Sequence, residues 1–373
     1  MREEKKLERL KQQGLYRKMI KVEPFDIDRS LIKGRPCLNF GSNDYLGMSE
    51  HPDLLEAFRT ALDQYGLGQR ASRYICGHHL LYENVEQKIA QWLHAESCLL
   101  FSTGYMANLG TLGALIEPED LVLIDRCAHA SLIDGVKMSK ASYKVFRHND
   151  VGHLEDCLKR YAHKYSMTWV VCESVDSIFG DILPIQNIVD LKERYAFRLI
   201  VDEAHGVGVF GKQGEGVIVE KDCFQNVEVR MITMGKALGV CGGAVLGSKS
   251  IVDTVINKGR TSIYTTAMPL PLAAGLLLSV DLVQKAEVQR AHLYKLIGLC
   301  EEAHSPIVPF YFEGAERVKE VSDFFLERGF FIPAMRVPTV PKGKECLRLT
   351  LNATHKIQDI QRLLKELSDF KRE

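Results

Sequence analysis

The sequence predicts an α/β fold: a large domain on a mostly parallel sheet, with a smaller α+β domain at the C-terminal end. Three observations predict it. Short apolar runs recur between residues 97 and 247, each followed by a stretch with helical spacing. Polar residues gather where those runs stop, which is where ligands bind in open α/β sheets. Beyond residue 276 strands and helices continue to alternate on a smaller scale. The expected organisation is therefore 1–45, an N-terminal helix and strand segment; 46–275, the large domain; and 276–373, the small domain.

Residues 1–22 are charged with scattered leucines and read as a surface helix. Leu38-Asn39-Phe40 is a short strand leading into the turn-rich Gly41-Ser42-Asn43-Asp44-Tyr45-Leu46-Gly47. Helical spacing runs from His51 to Tyr65 and from Leu80 to Leu93. Between them Gly66 to Arg73 mixes glycines with arginines, which suits a wall of an anion site. Ser97 to Phe101 is a strand, and Thr103-Gly104-Tyr105 opens a helix that contains Asn108. Such a turn is a ready anion cradle, because first-turn amides and the helix dipole both favour negative charge. Leu121 to Ile124 ends in Asp125, and His129-Ala130-Ser131 begins the next helix. Tyr143 to Phe146 ends at His148-Asn149-Asp150, and Thr168 to Val171 ends in Glu173, Ser174 and Ser177. Leu199-Ile200-Val201 ends in Asp202, Glu203 and His205, and Val229 to Thr233 ends in a turn at Gly235 followed by Lys236. Gly242 to Gly247 is a further strand, and Pro271 to about Ala303 reads as one long helix. Smaller elements follow: Ile307 to Phe312, Val318 to Glu327, Phe330 to Met335, Cys346 to Leu351 and Ile357 to Phe370. In Cys346-Leu347-Arg348-Leu349-Thr350-Leu351 the period is two, so the leucines face the core and Arg348 turns outward or towards a cleft.

Composition bounds the partners. Lysine plus arginine equals aspartate plus glutamate, 48 each, so no global charge favours nucleic acid or an anionic membrane. The ten cysteines include no Cys-x-x-Cys pair and read as reduced core thiols of a cytoplasmic protein. The N-terminus lacks the apolar core of a signal peptide, and Met268 to Val280 is too short to span a membrane. No metal is expected at the site.

The stretch from Phe197 to Gly239 carries the chemistry. Two adjacent strand ends offer a carboxylate, an imidazole and an amine. Lysine is the side chain that forms a reversible Schiff base with an aldehyde, so the set fits pyridoxal 5'-phosphate, with Lys236 on the aldehyde, Asp202 facing the pyridine nitrogen and His205 the ring oxygen. Opposite charges 4 Å apart at an effective dielectric of 20 attract by about 4 kcal/mol, enough to keep the ring nitrogen protonated. Two rival readings share the stretch. Asp202-Glu203-Ala204-His205 spells a DEAH helicase box, but the phosphate loop that a helicase needs upstream is missing. Gly206, Gly208 and Gly211 match Gly-x-Gly-x-x-Gly, but in a dinucleotide fold the first glycine closes the strand directly.

The chain resembles the α-oxoamine synthases, pyridoxal phosphate enzymes of the aspartate aminotransferase fold (fold type I). The resemblance runs from about Leu38 to Leu367 and rests on Asn43 to Gly47, Ser102 to Asn108, His129-Ala130-Ser131, His148-Asn149-Asp150, Asp202 to Gly206 and Thr233-Met234-Gly235-Lys236. Arg336-Val337-Pro338-Thr339-Val340-Pro341 and Leu347-Arg348-Leu349-Thr350 point to the branch that uses L-alanine and a pimeloyl thioester. The resemblance implies catalytic roles for Lys236, His129, Asp202 and His205, with His129 stacked on the ring. It implies that Gly104 and Tyr105, through backbone amides, and Thr233 and Ser177 help to hold the cofactor. Thr266 would reach the phosphate of the other subunit of a homodimer. Arg348 would bind the amino-acid carboxylate, and Arg17 and Thr339 would contact acyl substrate. The implied reaction is a decarboxylative condensation, with loss of the thiol and carbon dioxide. A sister synthase using glycine or serine with another acyl-CoA, or a silent scaffold, are the alternatives. Lys236 argues against the scaffold. Tyr82 stands where the family usually has histidine, Asp176 where an aromatic is common and Phe179 where an acid is common.

Overall fold

The computed structural model describes the chain except Gly14, Ile27 and Glu373, and the side chains at 25, 26, 371 and 372. The chain forms two compact units. One holds residues 44–177 and 181–290, the other residues 1–43, 178–180 and 291–373.

The first unit is built on a seven-stranded sheet. Its strands are β1 (Ser97–Phe101), β2 (Leu121–Asp125), β3 (Ser142–Phe146), β4 (Thr168–Glu173), β5 (Arg198–Asp202), β6 (Val229–Thr233) and β7 (Gly243–Gly247), in the spatial order β1-β7-β6-β5-β4-β2-β3. Neighbours from β6 to β3 run parallel, and β7 runs antiparallel to both β1 and β6. The expected mostly parallel sheet is therefore present. Every residue of β2 and β4 is buried, as strands covered on both faces require. Leu99, Val122, Trp169, Val171, Ile200 and Met231 belong to its core. Trp169 is a large aromatic with a polar handle, and its Nε1 donates to Asp120 at 3.1 Å. Helices follow the strands with capped starts. Thr103 caps Gly104–Leu115, His129 caps Ala130–Ser139 and Asp150 caps Val151–Tyr161, each side chain accepting a backbone amide.

The second unit holds two smaller sheets. Val22–Asp26, Arg29–Ile32, Arg35–Asn39 and Phe330–Phe331 form one, and Ile307–Tyr311, Cys346–Thr350 and Ala334–Met335 form the other. The helix Arg2–Gln12 buries none of its side chains.

Two expectations change. The long helix breaks into Leu270–Gln284 and Glu287–Ile297. At the break the buried Arg290 guanidinium donates to the carbonyls of Val283, Gln284 and Lys212, and so occupies acceptors that a continuous helix would use internally. The domain boundaries move as well. Residue 276 lies inside Leu270–Gln284, which packs on Pro52–Tyr65 and Leu80–Trp92 in the first unit. Residues 1–43 join the C-terminal end of the chain because Leu38 and Asn39 pair in parallel with Phe330 and Phe331.

The strand-end motif His148-Asn149-Asp150 proves structural. Asp125 accepts from His148 Nδ1 at 2.8 Å and from the amides of Cys127 and Asn149 at 2.7 and 3.0 Å. Burial alone would push the His148 imidazole down. Its bonds to Asp125, Asp181 and Cys127 outweigh that and hold it up at about 12. A folded value above the unfolded one gives stability that is complete below about pH 6.5 and is lost as pH rises towards the folded value. His148→Gln should therefore cost more stability near pH 6 than near pH 9, measured by urea unfolding; an equal cost at both would contradict the charged pair.

Candidate active site

The carboxyl ends of β4, β5 and β6 open into a cavity of about 160 Å³. Glu173 and Asp202 stand in register at the ends of β4 and β5. Asp202 is buried, with Oδ1 accepting the Ala204 amide at 2.9 Å and Oδ2 accepting from Asn108 Nδ2 at 2.7 Å. Lys236 lines the cavity three residues beyond the end of β6, in company with Gly104, Tyr105, His129, His205 and Thr233. The structure thus brings Lys236, Asp202, His129, His205, Gly104, Tyr105 and Thr233 to one cavity. Thr233 Oγ1 donates to the carbonyl of Gly242 at 3.0 Å, which fixes the end of β6 to the start of β7.

Backbone geometry positions the lysine. Gly208 has φ +87°, and a Cβ there would come within 2.3 Å of the Ala237 Cβ. Only glycine lets this turn press on the residue after Lys236. The DEAH tetrapeptide therefore has a split role. Glu203 points away from the cavity chemistry: it is buried and accepts from the amides of Val217 and Ile218 at the start of a short helix. Burial, partly offset by Ser174, Arg230 and those amides, raises its carboxyl to about 7.

The cavity wall is electrostatically mixed. Burial pushes the His129 imidazole below its ordinary value; Lys236 pushes the same way, while Asp202 and Asp134 oppose it. Burial drives the Glu173 carboxyl well above its ordinary range, and Asp176 and Asp202 add to this. Three contributors were not singled out as site residues from sequence. Asn108 links Asp202 to Ser131 Oγ, Glu173 Oε2 accepts the His129 amide at 2.9 Å, and buried Tyr45 meets His205 Nδ1 through its hydroxyl at 2.5 Å. A signal existed for Asn108: it lies four residues after Gly104 on the same helix face.

The remaining predicted residues lie elsewhere. Ser177 is not among the residues lining this cavity. Thr266 lines a separate hollow with Arg73 and Tyr82. Tyr82 is buried, donates its hydroxyl to the carbonyl of Met268 and carries Arg73 over its ring at 5.0 Å. Arg17, Thr339 and Arg348 belong to the second unit. Arg17 Nη2 donates to Thr339 Oγ1 at 2.9 Å. Arg348 is buried rather than outward, donating to Thr350 Oγ1 at 2.6 Å and to Asn43 Oδ1 at 3.1 Å. Phe179 stacks on Tyr311, their ring centroids 6.2 Å apart.

Residues 35–367 match the family of class I and II aminotransferases. The 8-amino-7-oxononanoate synthase of Marinobacter nauticus is 38% identical, over 98% of this chain and 95% of its own length. That of Herminiimonas arsenicoxydans is 37% identical over 96% of each. The chain belongs to the α-oxoamine synthase family. An α-oxoamine synthase of this kind is a pyridoxal phosphate-dependent acyltransferase of fold type I. Solved structures agree. Serine palmitoyltransferase from S. paucimobilis, holding a pyridoxal phosphate–myriocin aldimine, superposes with a TM-score of 0.92 at 28% identity, over 99% of this chain and 96% of that one. The Francisella tularensis 8-amino-7-oxononanoate synthase gives 0.79 at 27% identity, over 90% and 98%.

The residues present fit that cofactor. A carboxylate, two imidazoles and a lysine line one cavity, and Gly104 opens a helix of 12 residues beside it. A Cβ on Gly104 would lie 3.1 Å from the Thr233 Cβ, so a larger residue enters the cradle only if Thr233 gives by a few tenths of an ångström. Gly104→Val should weaken pyridoxal phosphate binding by about fivefold or more, because overpacking costs roughly 1–3 kcal/mol. Titration followed by absorbance, with circular dichroism as the folding control, checks this; unchanged affinity would remove Gly104 from the cradle.

Proposed function

We propose that the protein condenses L-alanine with a pimeloyl thioester, forming 8-amino-7-oxononanoate, the free thiol and carbon dioxide, a step of biotin formation. The observation that carries the reading is the cavity in which Lys236, Asp202, His129 and His205 meet beside the Gly104 helix start. The names of the 38% and 37% identical relatives support the choice of substrates.

Bound pyridoxal phosphate supplies an electron sink for a carbanion at the amino-acid α-carbon. Lys236 would hold the cofactor through its aldehyde, and its amine would be the group that takes and returns the amino-acid α-proton. Asp202, immobilised by Asn108 and the Ala204 amide, holds negative charge opposite the ring nitrogen. His205, buttressed by Tyr45, would hold the ring oxygen, and His129 would help to hold the ring. Gly104 and Tyr105 amides and Thr233 would hold the cofactor, with Ser177 outside the cavity lining, and Thr266 would serve the phosphate in the partner of a homodimer. Arg348, with its planar fork fixed by Thr350 and Asn43, grips the alanine carboxylate. Arg17 and Thr339, already hydrogen-bonded to each other, contact the acyl chain. A cytoplasmic site of action suits the free cysteines, and no helix among the described residues is long and apolar enough to cross a membrane.

A second reading has a specific observation behind it. The higher TM-score belongs to serine palmitoyltransferase, and Tyr82, Asp176 and Phe179 depart from the family pattern. In that reading serine or glycine and a longer acyl-CoA are the substrates. Product analysis with a panel of amino acids and thioesters separates the two. Alanine with pimeloyl thioester should be turned over best; preference for serine or glycine with another acyl-CoA would overturn the assignment. With cofactor added, the wild type should show a visible absorbance band that is absent in Lys236→Ala, and a colourless wild type would sink the enzyme reading. Asp202→Asn should lose most turnover, each tenfold loss corresponding to about 1.36 kcal/mol of transition-state stabilisation.

A further inference from the structure

His129 presents two ring nitrogens to its surroundings, and its neighbours decide which carries the proton. The Ser131 backbone N–H, which can only donate, meets Nδ1 at 3.3 Å. The Ser131 hydroxyl lies 2.7 Å from the same nitrogen. That hydroxyl is also 2.8 Å from Asn108 Nδ2. An amide nitrogen has donors and no acceptor, so Ser131 Oγ accepts there and its own proton is left for His129 Nδ1. The Asn108 amide cannot be reversed. Its other hydrogen meets Asp202 Oδ2 at 2.7 Å, and a flipped amide would set its carbonyl oxygen against that carboxylate.

We propose that Asn108 and Ser131 are positioning residues: they hold His129 as the neutral imidazole with its proton on Nε2, and they tie that tautomer to the Asp202 carboxylate. Each bond in the chain has one permitted direction. Asp202 accepts, Asn108 donates twice, Ser131 accepts once and donates once, and Nδ1 accepts. Asn108 and Ser131 are both buried, and both also border the cavity. The charged groups facing His129 are Lys236, Asp202 and Asp134, and Glu173 holds its backbone amide. The consequence for the reaction, which rests on the function proposed above, is a division of labour. His129 offers an N–H donor towards the substrate side and cannot serve as the base there, which leaves proton movement to Lys236.

The test uses the full chain without added cofactor, labelled with ¹⁵N-histidine. Long-range ¹H–¹⁵N spectra report the tautomer of each imidazole, and the His129 signals are those lost in His129→Gln. Near pH 7.5 the wild type should show an unprotonated Nδ1 and a protonated Nε2. Asn108→Ala frees Ser131 Oγ to accept from the imidazole. A population protonated at Nδ1 should then appear, and the protonation midpoint of His129 should rise. Ser131→Thr keeps the hydroxyl and should retain the wild-type pattern. A wild-type Nδ1–H or imidazolium near pH 7.5 overturns the proposal. So does a folded Asn108→Ala with the wild-type tautomer and midpoint. The wild-type spectrum decides even if Asn108→Ala fails to fold. Cofactor titration of the same samples stands apart: a wild type that binds no pyridoxal phosphate refutes the functional reading and leaves the tautomer result to be judged alone.

Discussion

The Asp202 carboxylate is the constraint on which the site depends. It sits at the end of a central parallel strand, buried, with each oxygen already committed to a donor of the chain. A buried carboxylate is tolerated only with such partners, and the same partners prevent it from turning. The sheet sets its depth, because β5 lies between β4 and β6 with Glu173 in register on one side. The rest of the cavity is arranged around this fixed charge: a lysine beyond β6, two imidazoles held through their Nδ1 atoms, and a helix start beside them.

Two kinds of residue surround that charge. Lys236, His205 and His129 face the cavity and can touch a ligand. Asn108, Ser131 and Tyr45 hydrogen-bond to those groups or to Asp202 and restrict their orientation. The second kind converts loose side chains into a rigid template, the condition under which electrostatic stabilisation costs no reorganisation during reaction. Glycine supports the same end by different means. Gly208 lets the backbone approach Ala237 where a methyl group would collide, and Gly104 leaves only a tight gap to Thr233.

Much of this was legible in the residues. The β2, β4 and β5 runs are largely apolar and end in Asp125, Glu173 and Asp202, β6 stops three residues before Lys236, and period and polarity alone mark them as strands with ligand-facing ends. What stayed hidden depends on distant pairing. Nothing near Arg290 announces that it will occupy the carbonyls of Val283 and Gln284 and stop a helix. The burial of Arg348 depends on Asn43, which takes its guanidinium, and on the strand of Pro309 alongside, both far along the chain. The alternation in Leu347-Arg348-Leu349 gives only the side of the strand. Glu203 and His148 sit in conspicuous motifs, yet they serve a helix start and a strand end.

The pairing of Leu38 and Asn39 with Phe330 and Phe331 has a consequence for biogenesis. The first unit is almost continuous in the chain, interrupted only at 178–180, so it can assemble while the ribosome is still at work. The N-terminal strands cannot complete their sheet until residue 331 has emerged. Throughout elongation they remain an unfinished edge that must avoid other chains. Closing so long a loop is slow in chain-entropy terms but adds little to its cost once made, since each doubling of loop length costs only about 0.6 kcal/mol. The exposed lysines and glutamates of the N-terminal helix and the strand that follows are well suited to keeping that waiting edge in solution.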